Sequence, residues 1–290
     1  MIGEYFILSF GEDGVSTCTQ KYPPFEVGDA PQRSVAPGFR SWGPPLCNLL
    51  SYFIFNKSKC DSLFPPIGVT DLDKPLCVAF DCDGVLADSI SSWRTIHDHF
   101  GTSSKDLLQK FMAGELTDNE FMNADIALWK EKSSKIHKDD LFRAYSGCKL
   151  MKGAKELVAD LKSAGIHVAI VSAGVDLFVQ SIAGLVKADD WIANGFKFDE
   201  EGYLLDEGVV RVPSKEKYTS IQRLLDILDC PPDRLVSIGD SSMDLSMKIE
   251  GSTFIGFNPQ RDAAKIAFAE AGVTVVESKD LNDLRPYLGL

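Results

Sequence analysis

The sequence predicts an α/β fold, Rossmann-like, with a mainly parallel sheet carrying helices on both faces and a small helical insert after the first strand of that sheet. Three observations predict it. The runs LCVAF (76–80), HVAIVS (167–172), RLVSI (234–238) and STFIGF (252–257) have the length and the β-branched and aromatic content of buried strands. Between them lie amphipathic stretches with helical spacing. The first three runs end on polar or small residues, at Asp81, Ser172 and Gly239–Asp240, as parallel strands do where a ligand crevice opens at their carboxyl ends.

Residues 1–74 hold eight of the fourteen prolines and seven of the twenty-three glycines, without a sustained helix or strand period. They read as a poorly ordered accessory extension. Their one apolar run, LCNLLSYFIF at 46–55, is ten residues long and too short to span a bilayer. It can lie on a membrane surface, contact a partner or pack as a strand. The start lacks a basic flank followed by an early apolar segment, so no secretory signal is expected.

From residue 75 the pattern becomes regular. Helices are predicted over 91–100, 104–113, 117–130 and 138–146, forming an insert at 90–147. The core comprises 75–89 and 148–290. MKGAKELVADLKSAG then presents Leu157, Val158 and Leu161 on one helical face and ends at Gly165. It leads into the strand that stops at Ser172, with a helical stretch from Asp176. WIANGF is a further strand. KFDEEGYLL reads as a hairpin, because Gly202 sits in a polar turn between alternating apolar residues. In PSKEKYTSIQRLLDIL, Ile221, Leu224, Leu225 and Leu228 form a stripe that faces the sheet. VTVV (273–276) supplies another strand.

The chemistry sits at the strand ends. Asp81 and Asp83 leave the first strand two residues apart, with Gly84 allowing a sharp turn. A carboxylate can attack phosphorus, and a second one beside it can protonate a departing alkoxide and later activate water. Asp81 is assigned as nucleophile and Asp83 as general acid and base. Two carboxylates so close repel each other, and a divalent cation with oxygen ligands, best Mg2+, relieves this while polarising a phosphate. Alone, such a pair is more often a solvated turn or a helix cap. The Ser172 hydroxyl and the amides of Ala173 and Gly174 can hold phosphate oxygens, although a capping serine in an ordinary turn has the same appearance. Asp240 can reach a metal shared with Asp81. Asp244 is placed behind it, steadying the backbone or a metal-holding neighbour, or simply a helix start. Lys217 stands one turn ahead of the Ile221 stripe and can neutralise charge on the nucleophile and the transferring group. Lys215 competes for this role, but Lys217 has the better offset.

In this order and spacing, FDCDGVLAD, VSAG, Lys217 and IGDSSMD resemble the haloacid dehalogenase superfamily, specifically its phosphoserine phosphatase-like branch as found in archaea. The likeness runs from Leu76 to the end. It implies an aspartyl-phosphate mechanism on Asp81, with Asp83 as acid and base. It also implies metal ligation by Asp81, the Asp83 carbonyl and Asp240, phosphate held by Ser172 and Lys217, and a small helical cap that closes over the substrate. The Asp81 strand is expected at the centre of the sheet. The likeness departs from that branch at the substrate end. The acidic residue and the cap arginine that bind the amino and carboxylate groups of phosphoserine align with Ile90 and Asn123, and an asparagine of the last motif is Met243. Arg94, Glu120 and Lys130 are the neighbouring candidates. Phosphoserine is the leading substrate. Another small ester such as a sugar phosphate or phosphoglycolate, transfer to a second alcohol, and a non-catalytic binding role are the alternatives.

Composition agrees with a small-molecule enzyme. The 290 residues are 44% hydrophobic, enough for one core and a cap. A formal charge of −12 disfavours binding to a nucleic-acid backbone. No integral membrane segment is expected. Oligomeric state is not legible. Seven cysteines without a CxxC pair point to the reducing cytoplasm. Cys82, between the two aspartates, reads as buried filler, with a redox switch as the alternative. His97 and His99 diverge on a helix and build no metal site.

Overall fold

The computed structural model describes residues 7–11, 14–18 and 74–290. Two short strands, β1 (Ile7–Gly11) and β2 (Gly14–Cys18), pair antiparallel with Phe10 opposite Val15 and Gly11 opposite Gly14. The periodicity of the extension did not mark this pairing. A run such as Ile-Leu-Ser-Phe lacks a strict apolar–polar alternation, and pairing alone makes it a strand. The apolar run 46–55 lies outside the described residues.

The remaining elements follow the predicted alternation. β3 (Cys77–Phe80) is followed by four helices of the insert, α1 (Ser92–Phe100), α2 (Lys105–Ala113), α3 (Asp118–Lys132) and α4 (Lys138–Ala144). Then come α5 (Ala154–Ser163), β4 (His167–Val175), α6 (Asp176–Val186), β5 (Asp190–Phe198), β6 (Leu204–Val209) and α7 (Tyr218–Leu228). β7 (Leu235–Gly239), β8 (Thr253–Phe257), α8 (Asp262–Glu270) and β9 (Thr274–Val276) complete the chain, with short 3-10 turns between them. The seven strands of this sheet order as β6-β5-β4-β3-β7-β8-β9, with only β5 and β6 antiparallel. β3 is therefore central, and the chain winds outward on one side of it before returning to the other. That reversal creates a crevice at the carboxyl ends of β3 and β7.

Period-2 alternation assigns the two faces. Val78 and Phe80 point into a core with Leu157, Val158 and Leu161 of α5 and Phe178 and Ile182 of α6. Cys77 and Ala79 point to the opposite core with Ile221 and Leu225 of α7 and Phe268 of α8. The insert does not complete a core by itself. Its Ile96, Ile126, Trp129, Ile136 and Leu141 pack against Phe196 and Leu204 of the β5–β6 hairpin and Val175 at the end of β4. The turn of that hairpin carries Gly202, as predicted, and its carbonyl accepts the Lys138 N–H at 3.0 Å.

Candidate active site

β3 delivers Asp81 to the crevice with its backbone still in register, since the Asp81 N–H donates to the Ile238 carbonyl of β7 at 2.8 Å. The chain then turns tightly around the Cys82 carbonyl, which accepts from the N–H groups of Val85, Leu86 and Ala87. Gly84 makes this possible. Its φ is 76°, and a Cβ there would lie 2.5 Å from Asp240 Oδ2, so the Asp240 carboxylate occupies the space that any side chain at 84 would need. Cys82 is fully buried, and burial pushes its thiol far above the range of a reactive cysteine. It is packing, as expected.

Lys217 caps the start of α7 and reaches inward until only 2% of it is exposed. Its Nζ donates to Asp81 Oδ1 at 3.0 Å, to Asp244 Oδ1 at 2.6 Å and to the Val171 carbonyl at 3.4 Å. All three ammonium protons are thus placed. Burial works against its charge, but Asp244 and Asp81 overcome that and hold its pKa above the ordinary lysine value. The other oxygen of Asp244 accepts from the Ser241 N–H at 2.9 Å and the Ser241 hydroxyl at 2.7 Å. Asp244 therefore serves both readings of the sequence, capping the turn after β7 and holding the lysine.

Asp83 faces the other way. Its Oδ2 accepts from the Ser92 N–H at 2.9 Å and the Ser92 hydroxyl at 2.7 Å, while its buried Oδ1 has no hydrogen-bond partner. Burial lifts its pKa to about 6, with the Ser92 bonds pulling in the opposite direction. Near neutrality such a group can both give and take a proton.

β4 meets β5 with Ser172 opposite Ala193 but Val175 opposite Asn194, so Ala173 and Gly174 bulge out of the ladder. Sequence reasoning ended this strand at Ser172; the bulge is why, since it breaks the period while pairing resumes at Val175. The bulge turns the loop toward Asp83. A Cβ on Gly174 would stand 2.8 Å from Asp83 Oδ2 and 3.1 Å from Ser172 Oγ. Ser172 is 1% exposed and its Oγ accepts the Gly174 N–H at 3.1 Å, leaving its proton to donate. The Ala173 carbonyl points back into the fold, accepting from Trp93 Nε1 at 3.0 Å and Asn194 Nδ2 at 3.2 Å.

Oxygens of Asp81, Asp240 and Asp244 come within 4.8 Å of one another. Burial first, then mutual repulsion, raises the pKa of Asp240, and burial raises that of Asp81 against the pull of Lys217. A divalent cation suits such a cluster, because hard oxygen ligands and excess buried negative charge are what it needs. Both Asp244 oxygens are already occupied, so Asp81 and Asp240 have the ligating capacity to spare.

Ser92 escaped the sequence reading. The only signal was a serine pair at a helix start, where Ser91 is the cap, accepting the Arg94 N–H at 3.4 Å. Ser92 is then free for Asp83 and also accepts the Val175 N–H at 3.0 Å. The candidate substrate charges of the insert are engaged elsewhere. Arg94 lies 3.7 Å from Asp98, the Glu120 carboxylate accepts the Thr117 N–H at 2.8 Å, and Lys130 Nζ lies 2.5 Å from Asp206 Oδ1. Asn123 Oδ1 accepts the Gly208 N–H of β6 at 2.9 Å, and Ile90 is 62% exposed.

The family model for haloacid dehalogenase-like hydrolases matches residues 78–247, from β3 through the turn after β7. The chain belongs to this family. Within the haloacid dehalogenase-like hydrolases, it is 28% identical over 209 residues to the phosphoserine phosphatase of Archaeoglobus fulgidus, covering 71% of this chain and 59% of that protein. It is 26% identical over 195 residues to that of Idiomarina loihiensis, covering 66% of this chain and 85% of the relative. Among solved structures it resembles a phospho-aspartyl intermediate analogue of phosphoserine phosphatase, with a TM-score of 0.62 at 23% identity over 74% of this chain and 99% of the other. A probable phosphoserine phosphatase from Vibrio cholerae superposes with a TM-score of 0.61 at 22% identity, covering 76% and 66% of the two chains. These likenesses establish the hydrolase fold. Among the described residues no helix is long and apolar enough to cross a membrane.

Proposed function

We propose that the protein is a Mg2+-dependent phosphomonoester hydrolase working through an aspartyl-phosphate on Asp81, with O-phosphoserine as the leading substrate. The observation that carries this is the contrast between two neighbouring carboxylates. Asp81 Oδ1 is held by a lysine ammonium at 3.0 Å, whereas the Asp83 carboxylate accepts only from Ser92. The lysine favours the ionised, nucleophilic form of Asp81, and Asp83, without such a partner, is left to carry the proton.

With Oδ1 engaged by Lys217, Asp81 Oδ2 attacks phosphorus in line. As the ester P–O bond breaks, Asp83 gives its proton to the leaving alkoxide. The Ser172 hydroxyl and the Ala173 N–H hold the phosphoryl oxygens, and the charge of the Lys217 ammonium, bonded to Asp81, offsets theirs. Asp83, now ionised, takes a proton from water, which attacks the same phosphorus. The P–O bond to Asp81 breaks and inorganic phosphate leaves. Asp81, Asp240 and the Asp83 carbonyl would hold Mg2+, which when bound would neutralise charge at the phosphate. The insert, drawn as residues 90–147, acts as a cap that closes over the ester. A cytoplasmic setting fits the free cysteines at 77, 82, 148 and 230.

The names of the relatives support phosphoserine. One observation favours a second reading, an ester without an amino-acid end such as a sugar phosphate: Arg94, Glu120, Asn123 and Lys130 all have partners within the fold. Phosphate release with Mg2+ across a panel of small phosphomonoesters, alongside Asp81→Asn, separates them. Asp81-dependent preference for phosphoserine supports the first reading, and preference for another ester supports the second. Equal turnover by Asp81→Asn would reject the mechanism.

A further inference from the structure

We infer that the Pro213–Lys217 turn is a latch through which the helical insert sets the position of Lys217, with Asp118 and Lys215 as its positioning residues. The inference rests on the proposed role of Lys217 at the phosphoryl group. The turn is short and closed on itself, since the Glu216 N–H donates to the Pro213 carbonyl at 3.0 Å. Two elements of the insert grip it. Asp118, the first residue of α3, accepts through one oxygen from the Ser214 N–H at 3.0 Å and the Ser214 hydroxyl at 2.6 Å. Lys215 extends in the opposite direction and donates to the last carbonyls of α2, Phe111 at 3.0 Å and Met112 at 3.4 Å. Its ammonium also stands 5.1 Å from the centre of the Phe111 ring.

Each grip has a strong physical basis. A carboxylate accepting two hydrogen bonds, with Ser214 only 9% exposed, is a charge-assisted pair in a poorly solvated place. The end of α2 carries the negative end of its dipole, and its Phe111 carbonyl, which also accepts the Gly114 N–H at 3.0 Å, has a second lone pair for the lysine. Phe111 stacks on Phe121 with ring centres 5.0 Å apart, which joins α2 to α3 so that both grips move together. Three residues beyond Ser214, the Lys217 N–H donates to Ser246 Oγ at 3.1 Å and its side chain enters the site. Little slack separates the grip from the ammonium that touches Asp81. Lys215, the sequence-level competitor of Lys217, thus has its own task on the other side of the same turn.

The test compares Asp118→Ala, Lys215→Ala and the double variant with Asp118→Asn, which keeps a side-chain oxygen acceptor, and Lys215→Arg, which keeps a cationic donor. Steady-state kinetics use the best ester of the panel with Mg2+, and hydrogen exchange follows the peptides spanning α2–α3 and residues 213–220. The alanine variants are expected to lose at least roughly tenfold in kcat while KM moves by less than about threefold. Exchange should quicken in both peptides at an unchanged melting midpoint, and the Asn and Arg variants should recover most of both readouts. Unchanged kcat in the double variant, or unchanged exchange at 213–220, overturns the latch. A wild-type protein that hydrolyses no ester would sink the reading of the site. Exchange alone would then decide the latch, which falls if residues 213–220 exchange at the wild-type rate.

Discussion

The Ser92 hydroxyl donates to Asp83 Oδ2 at 2.7 Å, so the first turn of the helical insert is bonded directly to the residue assigned as general acid and base. The same Oγ accepts the Val175 N–H at 3.0 Å, at the point where the bulged loop of β4 passes into α6. One buried side chain therefore joins the insert, Asp83 and the bulged loop of β4.

Ser92→Ala should lower kcat by roughly ten- to a hundredfold, the worth of a hydrogen bond to a charged group, with a smaller change in KM. Ser92→Thr, which keeps the hydroxyl, should recover part of it. Steady-state kinetics decide this. Wild-type kcat in the alanine variant would mean that Asp83 is oriented by something else.

Gly84→Ala places a methyl group 2.5 Å from the present position of Asp240 Oδ2 and forces alanine to a φ of 76°. The backbone term should cost about 1–2 kcal/mol. A second effect falls on the metal, because Asp240 must move. The Mg2+ concentration giving half-maximal activity should rise by about tenfold or more, a loss of roughly 1.4 kcal/mol in binding. A metal titration with the wild-type midpoint would show that Asp240 does not ligate.

Asn123→Ala removes the acceptor of the Gly208 N–H and should cost about 1 kcal/mol of stability by denaturant melting. The order of preference among esters should stay the same. A reordered preference would instead make Asn123 a substrate group.

Asp125 offers a pH prediction away from the site. It is 1% exposed in the insert, with its Oδ1 3.2 Å from His97 Nε2. His97 Nδ1 accepts from Trp129 Nε1 at 3.1 Å and lies 2.7 Å from the Thr102 hydroxyl, so Nε2 carries the proton that faces Asp125. Burial raises the Asp125 pKa, with His97 and the Ser104 hydroxyl opposing it. Above the ordinary carboxylate value of about 4, the native state then binds more protons than the unfolded chain. The contribution to stability is complete below that value and is lost as pH rises through the raised one. Asp125→Asn should flatten this decline above about pH 4. Parallel melting-midpoint curves for variant and wild type would reject the assignment.

The regular elements were legible because they are written in local periodicity. Cys77–Phe80 and Leu235–Gly239 are runs too apolar to be anything but buried, and the four helices of the insert lie within two residues of their predicted limits. The hairpin at residues 7–18 was missed, since two five-residue strands become strands only by pairing with each other. The candidate site divides in the same way. Asp81, Asp83, Asp240 and Lys217 stand next to strand ends and helix starts, positions that chain order alone marks. Ser92 stands nine residues after Asp83 on a different element, and the role of Lys215 depends on carbonyls about a hundred residues earlier in the chain.

By itself, then, the sequence determined the alternation of strands and helices, the acidic residues at the strand ends and the class of chemistry they support, because each is a property of neighbours along the chain. Tertiary structure alone decided that Lys217 is shared between Asp81 and Asp244, that Ser92 holds Asp83, that Asn123 is committed to β6, and that the insert shares its core with the β5–β6 hairpin. Each of these is a contact between elements far apart in sequence. Which hydrogen bonds a polar side chain makes depends on how the sheet and the insert bring their surfaces together, and no periodicity along the chain encodes that.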